Sequence, residues 1–160
     1  MNGVPGFDGW HRWLYRDGRP RRLARWMNTV ASWQYAHGIV TFGGRGVTME
    51  VPGRVSGRTV TFPLVLVRHE GERYVVSMLG ERAQWVRNVR AQDGLAVLHS
   101  PHREEVRLVE VPVEQRPDLL RRYLQLAPGA RPHIPVDRWA PLARFHEIAG
   151  AYPVFRVVAR

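Results

Sequence analysis

Two stretches of this chain carry residue types that can hold an anion. The first, Gly53-Arg54-Val55-Ser56-Gly57-Arg58, brings two guanidinium groups, a hydroxyl and two glycines into one turn. Fixed cations and turn donors of this kind suit a phosphate or carboxylate. The second is Ser77-Met78-Leu79-Gly80, which runs into Glu81-Arg82-Ala83-Gln84-Trp85-Val86-Arg87-Asn88. There a glycine precedes a helix start, where N–H groups and the positive end of the dipole also favour an anion. An apolar run over 59–67, a turn at His69-Glu70-Gly71-Glu72 and a strand-like segment over 73–79 separate the two. The two donor clusters are therefore expected at the ends of one hairpin, around a phosphorylated or otherwise anionic ligand.

Other chemistries lack the residues they need. No cysteine is present, which removes disulfides, thiolate metal sites and cysteine nucleophiles. All 24 basic residues are arginine, so the lysine of a phosphate-binding P-loop and every Schiff-base route are missing. The serine of Gly53-Arg54-Val55-Ser56-Gly57 stands one place late for a hydrolase nucleophile elbow. His99 and His102, near Glu104 and Glu105, sit on a proline turn, and no metal site is expected. The net charge of +10 favours acidic partners, but the arginines are spread along the chain and no base-reading module is recognisable. Nucleic acid is thus an unfavoured partner. No apolar run approaches a membrane span and no signal-peptide pattern opens the chain, so a cytoplasmic protein is expected.

The elements that must position these residues read as a mainly β, α+β architecture. Residues 1–37 form a basic, aromatic arm with a helix from about Pro20 to Tyr35. Its tryptophans and arginines would suit packing on the barrel, a second subunit, or a peripheral contact with anionic lipid. Residues 38–160 form the remaining unit of a single domain. Strands are expected over 39–42, 47–51, 59–68, 73–79, 94–99, 106–113 and 152–158. Pro63 cannot donate to a ladder and marks a bulge or a sheet edge. Helices are expected over 81–91, 117–126 and 139–149, the last capped by Asp137. Strands in hairpins with helices at the ends describe an antiparallel barrel with peripheral helices. A barrel without an evident catalytic side chain suits a bound cofactor that carries the chemistry.

Four motifs in order then resemble one family: Gly53-Arg54-x-Ser56-Gly57, Pro63-Leu64, Trp85-x-x-Asn88-x-x-Ala91 and Tyr152-Pro153-Val154-Phe155-Arg156. Together they resemble the deazaflavin-dependent nitroreductases and oxidoreductases of actinobacteria. The resemblance implies a split β-barrel of the flavin-binding type and reduced coenzyme F420 as hydride donor. Quinones, nitro compounds or activated double bonds would be the acceptors. It places Arg54, Ser56, Gly57 and Arg58 at the cofactor's phosphate and tail, with Pro63 and Leu64 under the ring system. Ser77, Met78, Leu79 and Gly80 would give backbone contacts, while Trp85 and Asn88 fix the following helix. Val55 stands where many members have lysine, and the loop Ala130-Arg131-Pro132-His133-Ile134-Pro135 lacks the family's pocket tyrosines. His133 is the candidate proton donor there. The resemblance is compatible with a homodimer. Two alternatives stay open: FMN or another cofactor on the same barrel, and a basic module for nucleic acid or membrane.

Overall fold

Alternation of apolar and polar residues builds the sheet. In a computed structural model that describes residues 45–160, seven strands form one antiparallel sheet. They are β1 (Gly46–Pro52), β2 (Thr59–Val65), β3 (Val67–His69), β4 (Glu72–Val76), β5 (Leu95–His99), β6 (Arg103–Glu110) and β7 (Val154–Ala159). Three α-helices accompany them: α1 (Gln84–Ala91), α2 (Arg116–Leu126) and α3 (Leu142–Ile148). The strand order is β2-β1-β5-β6-β7-β4-β3. Its two ends are successive pieces of chain, parted only by Leu66, whose N–H donates to the Arg45 carbonyl at 2.7 Å. The order thus returns on itself, and the sheet curls into the split β-barrel expected from the sequence.

Alternate side chains of β4 and β7 enter two different cores. Val47, Met49, Val51, Phe62, Val75, Leu98, Val106, Leu108, Phe155 and Val157 fill the barrel, with Val86 and Val89 of α1 against them. Val67, Val76 and Val154 point the other way, onto Leu119, Leu120, Tyr123 and Leu124 of α2 and Phe145 of α3. Neighbours such as Val75 and Val76 therefore belong to opposite faces, as a period of two requires. Trp85 lies between Phe62 and Phe155, at ring-centroid distances of 5.7 and 5.5 Å, and fastens α1 to the barrel. Each such aromatic pair contributes about 0.5–1.5 kcal/mol beyond area burial.

Several boundaries differ from the expectation. The 59–68 strand is two strands broken at Leu66, and Pro63 pairs in register with Thr48 on the terminal strand β2. The missing N–H costs no ladder bond on such an edge. The expected hairpin of 59–68 with 73–79 is reduced to β3 with β4, because β2 pairs with β1. The two stretches expected to bind an anion consequently lie on different hairpins. β4 ends at Val76, since 77–79 turns where sequence hydrophobicity alone suggested more strand. Asp137 does not cap a helix over 139–149; α3 begins after Pro141, and Asp137 holds a turn instead. The expected helix over 20–35 and strand over 39–42 lie outside the described residues.

Buried charge ties the layers together. Arg116 is 5% exposed; its Nε donates to the Val111 carbonyl at 2.9 Å and its Nη1 to the Ala149 carbonyl at 3.1 Å. Its Nη2 reaches Glu110 at 3.3 Å, and Glu110 also accepts from Arg90, which binds Glu81. This chain of ion pairs links α2, β6 and α1 to the turn that follows β4. Hydrogen bonds from Arg90 hold the Glu81 carboxyl below its usual range.

Candidate functional site

The β1–β2 hairpin ends in the turn 53–58, and its backbone closes on itself. The Gly53 N–H donates to the Arg58 carbonyl and the Gly57 N–H to the Gly53 carbonyl, both at 2.9 Å. A β-carbon on Gly53 would stand 3.0 Å from Ser56 Oγ and 3.1 Å from the Arg58 carbonyl oxygen. Gly57 takes φ +69°, the left-handed region that glycine reaches without strain. Ser56 Oγ accepts the Arg58 N–H at 3.2 Å, so the hydroxyl hydrogen is left for another acceptor. Val55, at the tip, is 91% exposed.

Arg54 joins this turn to α1. Its Nη1 and its backbone N–H both donate to Asn88 Oδ1, at 2.8 and 3.2 Å, and its Nη2 donates to Gln84 Oε1 at 2.9 Å. Gln84 and Asn88 are four residues apart and so share one face of α1. Both acceptors are neutral amides. They fix the guanidinium without cancelling its charge, which leaves Nε and two further N–H groups for an anion. Among the described residues, neither Arg54 nor Arg58 is paired with a carboxylate. Asn88 itself is buried, and it acts by holding Arg54 rather than by reaching solvent.

Two residues before Gln84 the chain enters a cleft of about 390 Å³. Met78, Leu79, Gly80 and Arg82 form one wall; His133 and Tyr152 stand on the other. Ser77 shapes the first wall from beneath. It is fully buried, with its Oγ–H given to the Gly80 carbonyl at 2.8 Å and its N–H to the Pro153 carbonyl at 3.0 Å. Gly80 takes φ +72°, and a β-carbon there would lie 2.7 Å from the Ala151 carbonyl oxygen. The Tyr152 hydroxyl donates to the His133 carbonyl at 3.0 Å and pins the loop to the start of β7. Burial pushes the Tyr152 phenol above its ordinary range, so it keeps its proton at neutral pH.

The residues singled out from the sequence are thus unequally placed. Arg54, Ser56, Gly57 and Arg58 share the exposed turn, and Met78, Leu79, Gly80 and His133 share the cleft. Pro63 and Leu64 lie on β2, with Leu64 packed against the barrel core. Trp85 belongs to that core as well. Gln84, Arg82 and Tyr152 were missed as site residues. The spacing of Gln84 from Asn88 was a readable signal; the meeting of Tyr152 with His133 was not, because it depends on the tertiary path.

These donors fit a long anionic cofactor: a fixed, uncompensated cation at the turn, and a partly apolar cleft whose wall ends at Arg82, two residues before Gln84 in the chain. Comparison with known proteins agrees. The family model described as F420H(2)-dependent quinone reductase matches residues 26–142. Among functionally curated proteins none matches the chain. A solved structure described as a domain-swapped dimer is similar at 17% identity, over 84% of this chain and 96% of that one, with TM-score 0.51. A protein of unknown function from Agrobacterium tumefaciens is similar at 13% identity, over 72% of this chain and 48% of that one, with TM-score 0.50. An F420-H2 dependent reductase is similar at 19% identity, over 71% and 93% of the two chains, with TM-score 0.47. The family match spans most of the sequence, from residue 26 to the start of α3: the chain belongs to the F420H(2)-dependent quinone reductase family, an F420-dependent reductase whose coenzyme is the deazaflavin F420.

Proposed function

We propose that this protein passes a hydride from reduced F420 to a quinone, with nitro compounds and activated double bonds as electrophiles of the same kind. The observation that carries the placement of the cofactor is Arg54, held by two amide oxygens at 2.8 and 2.9 Å with its charge uncancelled. Arg54 and Arg58, with Ser56 and the backbone around Gly57, would hold the phosphate and the acidic tail. Pro63 and Leu64, then Met78, Leu79 and Gly80, would border the ring system, while Ser77, Trp85 and Asn88 keep those segments in place. Bound in its reduced form, F420 supplies the hydride.

The protein's own contribution is position and a proton. Fixing donor and acceptor together in a cleft removes much of the entropic barrier of a two-body reaction. The acid–base side chains that line this cleft are Glu81, His133 and Tyr152, and Glu81 is engaged by Arg90. The Tyr152 phenol, which keeps its proton, can turn from the His133 carbonyl to donate to an oxygen that gains negative charge, and the neighbouring His133 can then replace that proton. A homodimer also belongs to this reading, supported by the similar structure described as a domain-swapped dimer. So does work in the cytoplasm, with residues 1–37 as an arm at the membrane or the partner.

The test is single-turnover oxidation of bound F420H2 by a soluble benzoquinone, beside a nitroaromatic and an enone. Rapid oxidation by the quinone, slowed in both Tyr152→Phe and His133→Ala with F420 affinity unchanged, is the expected result. Oxidation at the rate of free F420H2 would sink the proposal.

A further inference from the structure

A second concavity, of about 270 Å³, lies where α2, the end of β3 and the segment 138–140 meet. It shares no lining residue with the cleft at Tyr152. Its walls carry Arg121, Arg122, Arg138, Trp139 and His69, with Asp118 as the carboxylate among them. With the histidine neutral, that lining has a formal charge of +2. Asp118 is occupied by Arg121 one helical turn away, at 3.0 Å. Among the described residues, neither Arg122 nor Arg138 is paired with a carboxylate.

Trp139 is 71% exposed, an unusual state for so large an apolar ring. It is held in that position. Its N–H donates to Asp137 Oδ1 at 2.8 Å, and the Ala140 N–H donates to the Asp137 carbonyl at 3.0 Å. The nearest outside acid is thereby turned toward backbone. The Arg138 guanidinium sits over the indole, 5.4 Å from the ring centroid.

We propose that this cleft binds a small ligand joining a planar ring to phosphate or carboxylate groups. The ring stacks at Trp139, and the anionic group is taken by Arg122 and Arg138. A nucleotide and an aromatic acid share that chemistry. Walls on several sides, and a carboxylate among them, favour a small ligand over a flat lipid surface.

The test is calorimetric titration of the full chain, free and saturated with F420, with ADP and separately with 4-hydroxybenzoate. Saturable binding of either, unaffected by F420 and weakened about tenfold or more in Arg122→Gln and in Trp139→Ala, is expected. Arg122→Lys, which keeps the charge, should recover part of the affinity. A response to ADP identifies the nucleotide arm, and a response to 4-hydroxybenzoate alone the aromatic-acid arm. No binding of either probe, competition with F420, or unchanged affinity in both variants would overturn the proposal. So would capture by phosphatidylglycerol vesicles through Trp139 with neither small probe bound, which would assign the patch to a membrane surface.

Discussion

Asn88→Asp separates folding from cofactor binding, because it changes the charge at Arg54 and little else. Asn88 Oδ1 accepts two donors from Arg54, the guanidinium at 2.8 Å and the backbone N–H at 3.2 Å. An aspartate of the same shape accepts both. Opposite unit charges about 4 Å apart attract by about 4 kcal/mol at an effective dielectric of about 20, which offsets much of the cost of burying the carboxylate. The fold is therefore expected to survive, with a melting temperature close to that of the unaltered protein. The cation, however, is then neutralised. A hydrogen bond between charged partners contributes about 1.5–3 kcal/mol, so affinity for F420 should fall roughly ten- to hundredfold. Fluorescence titration with F420 reads the affinity, and a thermal melt on the same samples reads the fold. An Asn88→Asp protein that melts normally and binds F420 as tightly as the parent would refute the argument that uncancelled charge at Arg54 holds the cofactor.

Three further outcomes are expected. Val55→Lys restores a cation at the fully solvent-facing tip of the turn, and should tighten F420 binding about two- to fivefold with an unchanged melting temperature; the gain should fade at high salt. Gly80→Ala forces a side chain into a left-handed φ and within 2.7 Å of the Ala151 carbonyl oxygen. It should lower stability by about 1–3 kcal/mol in denaturant titration and disturb the cleft. The third concerns acid. The Glu104 carboxyl, bonded bidentately by Arg73 at 2.7 and 2.8 Å, and the Glu81 carboxyl, bonded by Arg90, are both held below the usual carboxylate range. Groups with depressed folded-state values add stability above their unfolded value and lose it as pH falls through the folded one. Stability should thus decline below about pH 4.5, and Glu104→Gln should be less stable at neutral pH with a shallower decline in acid. Equal slopes in both proteins would contradict the assignment.

How much was legible in the sequence depends on the range of the interaction. The strands and α2 follow from period-two and helical patterning, and the split barrel follows from their hairpins together with the family motifs. The 53–58 turn was legible because glycine, serine and arginine declare it locally. What escaped was set by distant partners. Arg54 is fixed by residues thirty or more positions away, so the spacing of Gln84 from Asn88 did not show what the two amides hold. Tyr152 was visible as part of a motif, but only the path of the loop after α2 brings it against His133. The break at Leu66 was missed because Pro63 drew the irregularity to itself. The break comes three residues later, at Leu66 between β2 and β3, whose N–H donates to the Arg45 carbonyl. Trp139 was assigned to a helix by its neighbours' spacing; Pro141 delays that helix and leaves the indole on a turn.

The central claim is that an anionic deazaflavin is held through the arginines of the 53–58 turn. Parallel fluorescence titrations with F420 and FMN, on the parent and on the Arg54→Ala, Arg58→Ala double variant, test it most directly. The expected result is saturable F420 binding with FMN much weaker, and loss of F420 binding in a double variant that still melts cooperatively. Tighter binding of FMN, or a double variant that keeps the parent's affinity for F420, would contradict it.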